Sequence, residues 1–165
     1  MSLPNSSIVL IAGDHDTPRS LETGSILRLF AEIPRITVMD QDARRVTFEH
    51  QSLSVFGVPH MAVPQNFDYA PDPNADVNVL VLHGSFSEEK LLELHDYGGH
   101  YFDVADLHPE RWDYVALGHY HEKTELAPNV YYAGSIERTS NNIWKEAETP
   151  KGFLTFRTDT RQGTF

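Results

Sequence analysis

Three short segments of the chain place glycine beside side chains that bind metal ions. They are Gly13-Asp14-His15-Asp16, His83-Gly84 and Gly118-His119-Tyr120-His121. The chain has no cysteine, so imidazole and carboxylate groups would have to bind the metal, and both suit divalent transition metals. Residues two apart in an extended segment project from the same face. His119 and His121 are therefore spaced to reach adjacent positions of one metal centre.

Each of these segments follows a short apolar run that predicts a buried strand. The runs are residues 7–12, 77–82 and 114–117. The first is almost wholly apolar and β-rich, which is typical of a strand buried on both faces of a largely parallel sheet. Because the carboxyl ends of strands form the binding rim of open α/β sheets, the three segments are predicted to converge there.

The remaining sequence predicts an α/β domain around these strands. Apolar spacing over residues 21–30 predicts a helix ended by Pro34, and a second helix capped by Ser87 is predicted over residues 87–95. Further strands are predicted at residues 36–39, 46–49, 53–58, 130–133 and 152–156, with a hairpin between the second and third of them.

Two other stretches and the remaining histidines have simpler expectations. Residues 64–76 are rich in proline and polar residues and predict a loop within one domain that spans residues 1–165. Asp106 stands shortly before Pro109 and is predicted near the N-cap of a further helix. Helix, turn or surface positions are expected for His50, His60, His95, His100 and His108.

Composition limits the classes of function. Asp and Glu number 24 against 13 Lys and Arg, a formal charge of −11, which argues against a generic DNA-coating protein. The longest apolar runs are far shorter than the roughly 18 residues that indicate a membrane span, and no basic and apolar signal segment opens the chain. We therefore expect a soluble, cytoplasmic protein without a membrane partner.

The three glycine-containing segments resemble, in the same order, motifs of the calcineurin-like metallophosphoesterases: Gly-Asn-His-Asp, His-Gly and Gly-His-x-His. A finer similarity, to the branch of nucleases that repair DNA double-strand breaks, rests on two stretches. They are Trp-Asp-Tyr-Val-Ala-Leu-Gly-His-Tyr-His at residues 112–121 and Tyr-Ala-Gly-Ser-Ile-Glu-Arg-Thr-Ser at residues 132–140. Lys151-Gly-Phe153 continues the likeness, which covers about residues 7–156.

This resemblance implies a two-metal phosphodiesterase, usually loaded with Mn²⁺, on part of a four-layer α-β-β-α sandwich. By motif position, Asp14, His83 and His119 would hold one ion and His121 would reach the other. His15 would protonate the leaving oxygen or stabilise the transition-state charge, and Asp16 would orient His15. Two divalent ions about 3.5–4 Å apart activate a water and neutralise the attacking and leaving oxygens, while acid catalysis by imidazole contributes about 10²–10⁴-fold.

Two motifs of the family, Asp-x-His and a Gly-Asp that bridges both metals, would precede residue 7 and are not found there. The literal Asp-x-His at residues 106–108 has no strand leading into it and is set aside. The chain is therefore expected to be a partial domain that lacks the first strand–helix units, and its exposed sheet edges favour a homodimer or strand exchange. Gly13-Asp14 is alternatively the bridging motif, although the following Thr17-Pro-Arg19 favours the later block. In that block Asp14 replaces the family Asn, so its added charge holds metal more tightly and weakens the Lewis acid.

Three functions follow from these observations. The leading one is a manganese-dependent nuclease that acts on DNA ends with a coiled-coil ATPase partner subunit, although the isolated chain would be inactive or weak. Arg19, Arg138 and Lys151 are the basic residues expected near the metals and the substrate. A second is hydrolysis of a small phosphodiester, for which an acidic surface is no obstacle. The third is a catalytically inactive remnant that acts as a binding or structural module.

Overall fold

The computed structural model describes residues 5–17, 23–64, 67–86, 101–138, 144 and 147–165. Within them the fold is mixed α/β, with a sheet-rich core and few helices. The strands are β1 (Ile8–Ile11), β2 (Ile36–Met39), β3 (Arg44–Phe48), β4 (Leu53–Val58), β5 (Val77–His83), β6 (Ser85–Phe86), β7 (Tyr101–Phe102), β8 (Tyr114–Gly118), β9 (Thr124–Ala127), β10 (Val130–Tyr132), β11 (Thr155–Arg157) and β12 (Gln162–Thr164). Short 3-10 helices cover Ile26–Glu32, Glu49–Gln51, His60–Ala62, Val104–Leu107 and Pro109–Arg111.

A six-stranded sheet in the order β3-β4-β5-β8-β10-β9 forms the centre of the fold. Its four inner strands run parallel, and the outer strands β3 and β9 pair antiparallel with β4 and β10. The predicted hairpin over β3 and β4 is confirmed, as are the strands at β5, β8 and β10. His83 is paired in register with Gly118, so β5 and β8 end at the same level of one rim.

β1 and β2 form a separate parallel pair that packs on the central sheet. A Cβ at Gly57 of β4 would overlap the sulfur of Met39 and lie 3.2 Å from Cγ2 of Ile11. The backbone N–H of His60, just after β4, donates to the carbonyl of Ala12 at 2.9 Å. These contacts bring the segment after β1 to the rim where β5 and β8 end.

The prediction that β1 is buried on both faces is wrong. Ile8 is 39 % exposed and the rest of the strand is half-buried. The physical reason is its position: among the described residues β1 pairs with β2 alone, so its other edge has no neighbouring strand.

The first predicted helix also differs from the structure. It is a 3-10 helix over Ile26–Glu32, and the side chain of Ser25 caps it by accepting from the backbone N–H of Leu27 at 3.2 Å. Side chains three apart align along a 3-10 helix. Ile26 and Leu29 are 68 % and 70 % exposed, so the apolar ridge that they form is not part of the core. Leu21 and the whole predicted helix at residues 87–95 lie outside the described residues.

Of two smaller expectations, the place of Asp106 near a helix N-cap is confirmed and the strand at residues 152–156 is corrected. The N-cap of Val104–Leu107 is Asp103, whose carboxylate accepts from the N–H of Ala105 at 2.9 Å, and Asp106 lies three residues later. Asp106 accepts in return from the N–H of Asp103 at 3.2 Å, so the two carboxylates cap the same helix. The strand predicted at residues 152–156 is β11, which begins at Thr155 and pairs with β12 instead of closing the central sheet.

The core lies between the central sheet and the segments that pack on it. Its largest fully buried side chains include Tyr132, Phe86, Leu80 and Leu82. In the described part of residues 64–76 no strand or helix occurs, as predicted, and Phe67 from this loop is buried in the core. No helix in the described ranges combines the length and apolar character needed to cross a membrane.

Candidate metal centre

Three side chains from three strand ends meet at the rim of the fold. Asp14 follows β1, His83 is the last residue of β5, and His119 directly follows β8. Each offers one ligand atom, and these atoms all lie within 4.8 Å of one another. All three residues are half-buried, so they are shielded from bulk water without being closed off from it.

Asp14 is the point at which the two imidazoles meet. Its Oδ1 is hydrogen-bonded to Nε2 of His83 at 2.8 Å and lies 3.7 Å from Nδ1 of His119. The rings of His83 and His119 lie edge to face, with centroids 5.5 Å apart. One carboxylate oxygen and two ring nitrogens thus lie close enough together to share one ion.

Glycines on both sides of His83 make room for its ring. A Cβ at Gly13 would lie 2.7 Å from Cε1 of His83, and a Cβ at Gly118 would lie 2.9 Å from its Nδ1. Both separations are too short for carbon in van der Waals contact, so any other residue would displace the imidazole. Glycine therefore precedes both Asp14 and His119 for a steric reason.

His119 adopts an uncommon backbone conformation. Its φ is 132°, and positive φ is rare for residues other than glycine because the Cβ crowds the backbone. Backbone strain of this kind concentrates at functional sites, where the surrounding structure maintains it. The backbone at the end of β8 therefore holds the candidate ligand His119 in a strained conformation.

The protonation states at the centre suit metal binding. Burial raises the pKa of Asp14, but the hydrogen bond with His83 and the charges of His83, His119 and His15 lower it by more, so the pKa lies below its ordinary value. Burial lowers the pKa of His83 and outweighs the opposing hydrogen bond and charge of Asp14. An ionised carboxylate and a neutral imidazole are the forms that coordinate metals.

The structure places His15 beside Asp14 and gives Asp16 a backbone partner. The side chain of His15 is 96 % exposed, and its Nε2 lies 3.7 Å from Oδ2 of Asp14, the oxygen that does not face His83. Asp16 accepts a hydrogen bond from the N–H of Gly13 at 3.0 Å. Among the described contacts Asp16 therefore stabilises the loop that carries Asp14, and no contact between Asp16 and His15 occurs there.

His121 lies outside the close group formed by Asp14, His83 and His119. Its carbonyl accepts from Nζ of Lys151 at 2.8 Å and from the N–H of Ser135 at 3.1 Å. Lys151 also donates to Oγ of Ser135 at 3.0 Å. The half-buried ammonium group thus joins the segment of His121 to the loop after β10.

Of the two basic residues predicted to bind substrate, the structure describes one, Arg138. Arg138 is exposed and donates to the carbonyls of Ala147 and Thr149 at 3.2 and 3.4 Å. Arg19 lies outside the described residues. Lys151, the third basic residue expected there, contacts the segment of His121.

His60 is exposed in the short helix after β4, as expected, but it also lies beside the centre, for which it was not predicted. Its ring is edge-on to that of His83, with centroids 6.0 Å apart, and its charge contributes to the lowered pKa of His83. A signal was available, since His60 follows the apolar strand β4 in the same way that the three predicted segments follow theirs. The similarity to the three glycine-containing segments is less clear in the sequence because proline, Pro59, precedes His60.

Comparison with protein-family models finds no matching family, and comparison with curated proteins finds no significant match. The likeness to the calcineurin-like phosphoesterases thus stays a prediction that rests on the motifs quoted above. What the structure adds is the geometry of Asp14, His83 and His119.

Proposed function

We propose that this chain carries the metal site of a metal-dependent phosphodiesterase, of the calcineurin-like kind that cleaves DNA ends in break repair. The observation that carries this proposal is the convergence of Asp14, His83 and His119 from three separate strand ends, with ligand atoms within 4.8 Å of one another. These residues belong to the three motifs that resemble the family, and the motifs lie as many as 105 residues apart, from Asp14 to His119.

The donor set fits a divalent transition metal. One carboxylate and two imidazoles suit Mn²⁺, and neighbouring ions such as Zn²⁺ bind similar sets. By the resemblance, Asp14, His83 and His119 would hold the first Mn²⁺, and His121 would contribute to the second. When bound, such ions polarise the phosphoryl oxygen and lower the pKa of a water molecule.

The chain's own residues supply the remaining chemistry. The ring of His15 is exposed beside Oδ2 of Asp14, so a phosphodiester bound at the centre can meet it. His15 would then donate a proton to the leaving oxygen, as the family position implies. Asp16 holds the backbone turn that carries both residues. Lys151 adds a half-buried positive charge beside His121, where a phosphate would bind.

The finer fold belongs to the same proposal. The β1–β2 pair packs on β4 of the central sheet through Met39, Ile11 and Gly57, which supports two stacked sheets. We propose that these sheets are the inner layers of a four-layer α-β-β-α sandwich. A coiled-coil ATPase subunit would supply the DNA affinity that this acidic chain lacks, and a second copy of the chain is the other proposed partner.

A second candidate, hydrolysis of a small phosphodiester, is favoured by how the basic side chains are used. Described guanidinium groups bind the protein's own acids and carbonyls, as Arg28 binds Asp40 and Arg157 binds Asp159. With a formal charge of −11 and these guanidinium groups paired to the protein's own acids, the chain is poorly suited to neutralise a chain of phosphates. A small diester needs no such neutralisation.

One experiment tests the proposal and separates these substrates. The chain is titrated with Mn²⁺ by calorimetry, and cleavage of duplex DNA and of bis(p-nitrophenyl) phosphate is then measured with Mn²⁺ present, with Asp14→Ala as the control. We expect Mn²⁺ binding and weak cleavage, both abolished in Asp14→Ala. Preference for the chromogenic diester identifies the small-substrate enzyme, and binding of two ions excludes the non-catalytic remnant. A chain that binds no divalent metal overturns the proposal.

A further inference from the structure

Tyr132 is a fully buried residue of β10 to which the proposed chemistry gives no role. It belongs to the Tyr-Ala-Gly-Ser stretch, and none of its surface is exposed to solvent. Its hydroxyl donates a hydrogen bond to the carbonyl of Gly84 at 2.6 Å. Gly84 directly follows His83, so the hydroxyl holds the backbone next to one of the three candidate ligands.

The same backbone segment is joined to the second imidazole. The N–H of Gly84 donates to the carbonyl of Gly118 at 3.1 Å, and Gly118 directly precedes His119. Because Tyr132 fixes one side of Gly84 and Gly118 fixes the other, the peptide at Gly84 links the ends of β5 and β8. That link extends the pairing of β5 and β8, in which His83 is in register with Gly118, to the residues beside both imidazoles.

The ring of Tyr132 reaches the centre by a second route. It lies edge to face with Tyr120, with centroids 4.9 Å apart, and the ring of Tyr120 lies 5.1 Å from that of His119. Burial is the main cause that raises the pKa of Tyr132, so its hydroxyl stays protonated and remains a donor over the working pH range. The hydroxyl and the ring therefore act on His83 and His119 respectively.

We propose that Tyr132 is a positioning residue of the metal centre, which sets the separation and orientation of His83 and His119. The inference rests on the proposed metal site and goes beyond it, because it concerns a residue that touches neither the metal nor the substrate. Groups that orient metal ligands from behind change metal affinity by about 10–100-fold when they are lost.

The neighbouring Tyr131 provides a matched control. It lies on the same strand, and its hydroxyl donates to Oε1 of Glu125 at 3.0 Å and to the carbonyl of Pro128 at 2.9 Å. Its described contacts involve none of the three candidate ligands. Tyr131→Phe therefore removes a hydrogen-bonding hydroxyl from β10 without touching the centre.

The experiment compares the wild-type chain with Tyr132→Phe and Tyr131→Phe. Mn²⁺ affinity is measured by calorimetry, the visible absorption of bound Co²⁺ reports the ligand geometry, and circular dichroism establishes that each variant is folded. We expect Tyr132→Phe to weaken Mn²⁺ binding about 10–100-fold and to alter the Co²⁺ spectrum. We expect Tyr131→Phe to leave both unchanged.

A folded Tyr132→Phe variant with wild-type Mn²⁺ affinity and Co²⁺ spectrum overturns this inference alone. A wild-type chain that binds neither ion overturns the proposed function and this inference with it. If Tyr132→Phe does not fold, Tyr120→Leu tests the second route, since it removes the ring beside His119 and keeps the hydroxyl on Gly84. Weakened Mn²⁺ binding in Tyr120→Leu then supports the ring route to His119, and unchanged binding overturns that route.

Discussion

Polar side chains lie at both ends of strands β5 and β8, but their partners differ between the two ends. At the carboxyl ends, His83 and His119 face the single oxygen of Asp14. At the amino ends, Asn78 and Asp113 form a hydrogen-bonded pair, in which Oδ2 of Asp113 accepts from the N–H of Asn78 at 2.7 Å. Each cluster contains an aspartate, Asp14 at one end and Asp113 at the other, but the partners of the two carboxylates differ.

At the amino ends the side-chain polar groups of Asn78 and Asp113 have protein partners. The amide of Asn78 accepts from the N–H of Asp72 at 2.7 Å and donates to the carbonyls of Asp72 and Ala75. The other oxygen of Asp113 meets Arg161 at 3.0 Å. Buried polar groups that are satisfied in this way rigidify a fold. This end of the sheet is structural.

At the carboxyl ends the ligand atoms of a carboxylate and two imidazoles lie within 4.8 Å of one another instead. One hydrogen bond joins His83 and Asp14, and a cation could take its place between the three groups. The lesson is that a cluster of metal-ligating atoms differs from a structural network in what those atoms can bind besides the protein. Variants at the two ends should therefore separate metal affinity from stability.

The largest expected effect is the loss of metal binding at the carboxyl ends. His83→Ala removes a ligand and should weaken Mn²⁺ binding on the order of a hundredfold or more, above the range for residues that only orient ligands. His15→Ala should leave Mn²⁺ affinity unchanged, because its exposed ring lies 3.7 Å from the outer oxygen of Asp14. Isothermal calorimetry of both variants gives the comparison.

His50→Ala serves as the control for His83→Ala, because His50 is exposed in the short helix after β3. Equal weakening by His83→Ala and His15→Ala would show that the division between ligand and proton donor is wrong.

A smaller effect is expected at the amino ends, and it is on stability. Asn78→Ala leaves the backbone groups of Asp72 and Ala75 without their side-chain partner, so it should lower the free energy of unfolding by about 1–3 kcal/mol. Mn²⁺ affinity should stay at the wild-type value. Urea unfolding and calorimetry measure the two quantities.

The matched variant is Asn74→Ala, an exposed residue of the same loop that bonds to Asp72, and it should change stability little. If Asn78→Ala reduced the free energy of Mn²⁺ binding by as much as the free energy of unfolding, the two ends would be coupled. The contrast between them would then fail.

The smallest expected effect is the pH dependence of the metal-free chain. The pKa of His83 is lowered by burial in the folded state, whereas in the unfolded chain it is about 6.5. As the pH falls below that value the unfolded state takes up a proton first, so stability decreases until the folded pKa is reached. The lowered pKa of Asp14 acts in the same direction at lower pH.

Urea unfolding in the presence of a chelator, at pH 7 and pH 5.5, measures this dependence. His83→Asn should show a smaller loss of stability between the two pH values than the wild-type chain, and His50→Asn should match the wild type. An identical loss in His83→Asn and in the wild type would mean that His83 does not titrate as its burial indicates.

The sequence predicted the parts of this molecule that depend on local patterns. Continuous apolar runs identified β5, β8 and β10, and the rule that strand ends share a rim brought Asp14, His83 and His119 together. The apolar runs are reliable because buried parallel strands need apolar side chains on each face. The strand-end rule is reliable because the carboxyl ends of parallel strands lie at one edge of the sheet.

The sequence did not predict features that depend on which element covers another. The burial of β1 and the solvent exposure of Ile26 and Leu29 are set by what packs on them, and apolar spacing alone carries no such information. His60 was missed for a related reason, since its place beside His83 follows from the pairing of β4 with β5. The hydrogen bond between Asp16 and the N–H of Gly13 is a loop contact, which periodic sequence patterns do not predict.

Gly13 and Gly118, which leave room for the ring of His83, make the centre a unit of five residues instead of three. A designer who grafts only the two imidazoles and the carboxylate onto another parallel sheet would find the middle ring displaced. The graft requires the three ligands together with glycine, which has no side chain, at the two positions beside the ring. A search of other chains for this arrangement should demand glycine immediately before the carboxylate and before the second histidine.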